Sequence, residues 1–185
     1  MKKHNDKPPK LLTWQEARSK REGWLDEGEK VVFTNGCFDL LHTGHVHLLK
    51  EAASLGDRLI VAINSDKSVR RIKGKERPLR PEIERAEIIG GLTYVDGVVI
   101  FEQDDPFEII KLLQPDVLVK GGDWKSGNIV GADIVKTSGG GVVVIPLVAD
   151  RSTTALVEDV RRLRKGKTGC RKSKITLLAK KAKKP

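Results

Sequence analysis

The chain has 185 residues, enough for one domain that buries a sizeable core without disulfide or metal staples. Hydrophobic residues make up 38% of it and charged residues 32%, and no run approaches the roughly 18 apolar residues of a membrane span, so a spanning protein is not expected. The net charge of +10 points to nucleic acid only until its distribution is read: residues 161–185 hold 12 of the 35 Lys and Arg and no Asp or Glu, leaving 23 basic against 25 acidic residues up to Val160.

The folded part is therefore not basic. The tail reads as a solvated extension, and nucleic acid is expected, if at all, only through it. Gly166-Lys167-Thr168 resembles the end of a phosphate-binding P-loop, but Arg161 stands where that motif needs its first glycine. The two cysteines, Cys37 and Cys170, lie far apart, which argues against a disulfide framework and for a reducing compartment. The start, MKKHNDKPPK, has no apolar segment behind it, so a cytoplasmic location is expected. This organisation predicts a flexible N-terminus over 1–10, one domain over 11–165, and a disordered basic tail over 166–185.

In chain order, Thr13 and Glu16 form a capping box for a first helix, TWQEARSKREGWL. Strands are expected at Val31–Asn35, Leu59–Asn64, Val98–Phe101, Val117–Lys120 and Val142–Pro146, all short, β-branched and apolar on both faces. Helical patterns lie between them. These are VHLLKEAASL closed by Gly56, PEIERAEIIGGL opened by Pro81, PFEIIKLL with Asp105 as cap and Pro106 in first position, and NIVGADIVKT before the glycine run 139–141. The segment RRIKGKERP reads as a flexible loop. Alternation of this kind predicts an α/β fold, a Rossmann-like doubly wound parallel sheet of five strands.

Ligands in such sheets bind beyond the carboxyl ends of the strands, near the switch in strand order. The segment TNGCFDLLHTGH follows the first expected strand and so belongs there. It is not the G-x-G-x-x-G dinucleotide fingerprint, which argues against a hydride-transfer cofactor. It does offer a loop entering a helix near Gly44-His45, whose free N–H groups and dipole favour an anion, and Gly44 allows close approach. His42 and His45 suit hydrogen bonding to phosphate oxygens and stabilising charge that grows as a phosphoanhydride breaks. A capping role in the turn stays open for both. Zinc would need three or four ligands at compatible spacing, and only His42, His45, His47 and Cys37 are near, so no metal ligand is assigned. His47 faces another side of the helix and reads as a surface or packing residue.

The run GCFDLLHTGH resembles the signature of the HxGH nucleotidyltransferase superfamily, which joins a nucleoside triphosphate to a phosphorylated small molecule and releases pyrophosphate. The blocks NSDKSVRRIKGKERP (Asn64 to Pro78), VKGGDW (Val119 to Trp124) and RSTT (Arg151 to Thr154) are similar to one branch, the adenylyltransferase domain of ADP-heptose synthase. The resemblance covers nearly everything from Val31 to Leu163, in order. It implies ATP and a heptose 1-phosphate, D-glycero-β-D-manno-heptose 1-phosphate, as substrates, ADP-heptose for lipopolysaccharide core or related glycans as product, Mg2+ as cofactor, and a homodimer. By the same resemblance His42, His45, Lys73 and Arg151 are the catalytic set, with Lys75 and Arg77 as helpers. Nucleotide contacts would come from Asn35, Gly36, Cys37, Phe38, Asp39, Gly44, Gly122, Asp123, Trp124, Ser152, Thr153 and Thr154, with Asp39 orienting the site or helping to hold magnesium. For Lys73 the alternative is a solvated loop charge; for Arg151 to Thr154 it is helix capping; for Trp124 it is the core. Many members of that branch carry a ribokinase-type sugar kinase, and no segment here resembles one, so a separate kinase would supply the heptose 1-phosphate.

Two rival readings stand beside this one. A cytidylyltransferase for glycerol 3-phosphate or another polyol phosphate uses the same HxGH and R-x-x-x-T-T style of site. An RNA-binding protein using the basic tail comes from a different class: HTGH resembles the HIGH motif of tRNA-charging enzymes, and Lys172-Ser173-Lys174 is faintly similar to their lysine loop.

Overall fold

The structure, a computed structural model, describes residues 10–122, 129–146, 153, 157 and 160–162. The chain divides into two compact units, Met1–Arg151 and Ser152–Pro185, so the boundary falls inside the expected 11–165 domain. The sheet belongs to the first unit; the described residues of the second are all helical.

Strands and helices alternate as the apolar runs require. The strands are β1 (Leu11–Leu12), β2 (Val31–Gly36), β3 (Arg58–Asn64), β4 (Gly97–Phe101), β5 (Val117–Gly121) and β6 (Gly141–Ile145). The helices are α1 (Trp14–Asp26), α2 (Thr43–Ala53), α3 (Asp66–Lys73), α4 (Glu82–Gly90), α5 (Phe107–Leu113) and α6 (Ala132–Thr137). The capping box of α1 forms as expected: Thr13 accepts from the Glu16 N–H, and the Glu16 carboxylate accepts from the Thr13 N–H. Trp14 Nε1 then donates to the Ile100 carbonyl at 2.8 Å and fastens α1 to the sheet.

The sheet has six strands rather than the expected five, in the order β1-β4-β3-β2-β5-β6, with every neighbouring pair parallel. The extra strand is β1, two leucines that pair with Val98 and Val99 at the edge; two residues are too few to show a period. A second correction is α3, which takes in residues 70–73, the first part of the stretch read as a loop. Ser65 caps it by accepting from the Ser68 N–H, Asp66 lies in its first turn, and Arg70, Arg71 and Lys73 lie in its last, charges placed to suit the helix dipole. Smaller shifts have local causes. Asp105 accepts from the Phe107 N–H at 2.9 Å, but Pro106 is the cap residue of α5. Gly131, at φ 82°, delays α6 to Ala132.

Alternation along the strands fills both faces. Val31, Phe33, Ile60, Ala62, Val99, Phe101 and Leu118 pack with α1, α5 and α6. Val32, Leu59, Val61, Ile63, Val98, Val117 and Val119 pack with α2 and α4 on the other side. From β2 the chain runs outward through β3 and β4, then returns to β5 on the opposite flank of β2. The switch in strand order therefore lies between β2 and β5, where a crevice opens at the carboxyl ends. Among the described residues no helix is long and apolar enough to cross a membrane.

Candidate functional site

Everything that converges on this crevice starts from the end of β2. Gly36 is closely covered: a Cβ there would stand 3.1 Å from the Phe38 ring, which would have to give way by a few tenths of an ångström. Phe38 turns the chain back with φ 46°, a left-handed conformation that a bulky residue adopts only where its surroundings hold it, and its ring is buried. The loop then enters α2 at His42, which is the cap residue with extended backbone and makes no side-chain capping bond. The capping alternative for His42 is thus not realised. The amides of His45 and Val46 bond to the His42 carbonyl, and the first turn carries no acidic residue. Its leading N–H groups, at Thr43 and Gly44, suit an anion. Gly44 needs no positive φ; what it contributes is the absence of a side chain.

The two imidazoles stack, ring centroids 3.7 Å apart and planes 24° from parallel, and the Phe38 ring lies 5.0 Å from His45. Burial and then the neighbouring His42 lower the His45 pKa to about 4, against a weaker upward pull from a backbone hydrogen bond at Leu40, so it is neutral at physiological pH. Its Nδ1 is buried without a hydrogen-bond partner among the described residues, a costly state that a ligand group hydrogen-bonding to it would relieve. His47 is exposed, with Nδ1 4.0 Å from Glu51, as expected for a surface residue.

Asp39 is fully engaged. Its Oδ2 accepts from Arg77 Nη1 at 2.7 Å, and its Oδ1 accepts from the N–H groups of Leu79 at 2.7 Å and Arg80 at 3.2 Å. The residue orients the site by pinning the connection between α3 and α4. Three hydrogen bonds hold this carboxylate to the neighbouring chain, and among the described residues no three His, Cys, Asp or Glu side chains gather as a metal-binding group. Magnesium therefore does not fit these residues as its cage. Arg77, expected as a helper at the phosphates, is also the partner of Asp39.

Arg85 from α4 is 1% exposed and joins the same loops from below. Its Nη1 donates to the Cys37 carbonyl at 2.6 Å, its Nη2 to the Asn64 carbonyl and Asp66 Oδ1 at 2.8 Å each, and its Nε to the Arg80 carbonyl at 3.0 Å. Sequence reasoning missed it, although an arginine on the same stripe as Ala86 and Ile89 is a visible signal. Cys37 lies beside Asn64, Sγ to Oδ1 3.8 Å. Burial raises its pKa against the opposing fields of Lys73 and Arg85, which keeps it a thiol. Lys73 closes α3 and is exposed; its influence on Cys37 brings its charge to this loop.

On the other flank of the switch point, Lys120 near the end of β5 donates through Nζ to Asn35 Oδ1. No role was assigned to this lysine from sequence, where its mark is a charge closing the apolar run Val117–Val119. Gly122 follows at φ 129°, a conformation that favours glycine, and its N–H donates to the Ile145 carbonyl at 3.0 Å. Asn35, Gly36, Cys37, Phe38, Asp39, His42, Gly44 and His45 thus lie along one loop and helix start, with Gly122 at the neighbouring strand end. Asp123, Trp124, Arg151, Ser152 and Thr154 lie outside the described residues. Thr153 is helical and half-buried, in the second unit.

Comparison with known proteins follows the same outline. A family model described as cytidylyltransferase-like matches residues 33–153. The curated Bifunctional protein HldE of Gluconobacter oxydans is 52% identical over 151 residues, covering 82% of this chain and 32% of that protein, so the chain spans about a third of that relative's length. Among solved structures, the lipopolysaccharide core biosynthesis protein from Thermoplasma volcanium GSS1 is 31% identical with a TM-score of 0.52, covering 65% of this chain and 98% of that one. Pantoate-beta-alanine ligase from Francisella tularensis, solved with an ATP analogue and beta-alanine, shares the fold at 18% identity and a TM-score of 0.54, covering 78% of this chain and 68% of that one.

Two expectations arise from this geometry. Arg85→Met strands three carbonyls and a carboxylate, so urea unfolding should show a loss of about 3–5 kcal/mol; a loss under about 1 kcal/mol would contradict the role given to Arg85. The second concerns pH. Between about 6.5 and about 4 the unfolded chain carries a proton on residue 45 that the folded chain refuses, so the stability contributed by neutral His45 is complete above that window and fades as pH falls through it. Unfolding free energy should fall from pH 7.5 to pH 5 more steeply in the wild type than in His45→Asn. Equal slopes would show that His45 is not held neutral.

Proposed function

Since the chain belongs to the cytidylyltransferase-like family of nucleotidyltransferases, we propose that it is an adenylyltransferase joining the AMP moiety of ATP to D-glycero-β-D-manno-heptose 1-phosphate. The products are ADP-heptose and pyrophosphate. The observation that carries the proposal is the stacked pair His42 and His45 at the start of α2, beside the switch point. The HldE relatives and the lipopolysaccharide core protein support the choice of nucleotide and acceptor, as do the VKGGDW and RSTT blocks.

In the proposed reaction an oxygen of the sugar phosphate attacks the α-phosphorus in line, and the bond from that phosphorus to the bridging oxygen of the β-phosphate breaks. Such a transfer needs positioning and charge neutralisation more than covalent help. A neutral His45 keeps one ring N–H to donate to a phosphate oxygen, and the leading amides of α2 add the helix dipole. Lys73, beside the loop of Cys37, supplies mobile positive charge to the departing pyrophosphate. Cys37, held as a thiol, takes no part as a nucleophile. Magnesium enters this scheme as the nucleotide's own counter-ion, held by phosphate oxygens.

A cytidylyltransferase acting on a polyol phosphate is the reading to be excluded, because the histidine pair contacts phosphates and says nothing of the base. The test is pyrophosphate release with ATP and with CTP, each against heptose 1-phosphate, other sugar 1-phosphates and glycerol 3-phosphate. ATP with heptose 1-phosphate should be the preferred pair, and His42→Ala or His45→Ala should lower its turnover by about 10²- to 10³-fold with the fold retained. Preference for CTP with glycerol 3-phosphate, or near-wild-type turnover in both variants, would overturn the proposal.

A further inference from the structure

Two buried arginines and two half-buried ones in the first unit each meet a carboxylate: Arg21 with Asp116 and Arg85 with Asp66, Arg58 with Glu29 and Asp96, and Arg77 with Asp39. Lys120 does not follow that pattern. Its ammonium spends one of three donors on the neutral amide oxygen of Asn35. The one charge that faces it among the described residues is Asp105, from the segment before α5, whose pull is outweighed by burial, so the pKa falls to about 8. A half-buried cation without a paired carboxylate is costly, and an anion that binds beside it offsets that cost.

Its position says where that anion would lie. Thr34 pairs with Val119 across β2 and β5, so Asn35 and Lys120 are the next step toward the carboxyl ends. Alternation puts them on the face of Phe33 and Leu118, the face covered by α1, α5 and α6. The histidines arrive on α2, which covers the opposite face. Histidine pair and lysine thus flank the switch point from the two sides of the sheet, and Gly121 and Gly122 beyond Lys120 leave the backbone bare.

We propose that Lys120, aimed by Asn35, is a substrate-contacting cation of this site that receives a phosphate oxygen of one of the two reactants from the face opposite the histidines. The inference rests on the nucleotidyl-transfer reading and adds to it a residue from β5. The phosphate has two sources, the nucleotide or the sugar phosphate, and kinetics separates them.

The experiment compares the wild-type chain with Lys120→Met, which keeps the length and removes the charge, and Lys120→Arg, which keeps the charge. Pyrophosphate release is followed with each reactant varied in turn. Lys120→Met should lose about 10²-fold or more in kcat/KM, and Lys120→Arg should recover most of it. A rise in KM confined to ATP places the contact on the nucleotide; one confined to the sugar phosphate places it on the acceptor. Because only the charged lysine serves, wild-type kcat/KM should fall as pH rises through about 8, and the arginine variant should lack that fall. A folded Lys120→Met within twofold of an active wild type, or an identical alkaline fall in Lys120→Arg, would overturn the inference and leave the transfer reading standing. A wild type that releases no pyrophosphate with any pair would take both down.

Discussion

The site depends on one buried guanidinium. Arg85 binds three carbonyls and a carboxylate, drawn from the loop after β2, the end of β3, the start of α3 and the connection before α4. Arginine is rarely buried unless it is paired, and here one planar fork ties four pieces of chain together. Asp39 repeats the device from above, with all its bonds going to Arg77, Leu79 and Arg80. Between them they set the path of the loop that delivers His42 and His45.

The chemistry available at the crevice follows from that rigidity. Two imidazoles held face to face cannot both carry charge cheaply, and burial decides the matter for His45 by keeping it neutral. Neutral donors, helix amides and a lysine held apart from carboxylates make a site poor in negative charge and rich in hydrogen-bond donors. Such a site receives phosphate well, and among the described residues no three His, Cys, Asp or Glu side chains gather beside it to hold a metal.

Much of this was legible in the residues. Five strands, the capping box at Thr13 and the placement of HTGH after the first long strand follow from β-branched runs, caps and the rule for parallel sheets, and each is found. What escaped had weak or contrary local signals. β1 is two residues long and owes its existence to Val98 and Val99. α3 has one fully buried apolar residue, Val69, among cations, so no apolar period announced it, although Ser65 and the charge order did. Arg77 looked like a phosphate-seeking charge and Arg85 drew no reading, because partners some 20 to 50 positions away cannot be read from spacing. Lys120 stood within a block already noticed, and only the burial around it marks it out.

The central claim is that His42 and His45 form the contact surface for nucleotide phosphates. The chain has four histidines, so imidazole nitrogen NMR of the uniformly labelled protein, titrated with ATP, tests it directly. The resonances of His42 and His45 should move together and saturate, while those of His4 and His47 stay where they are. Saturable ATP binding that leaves His42 and His45 unmoved would contradict the account.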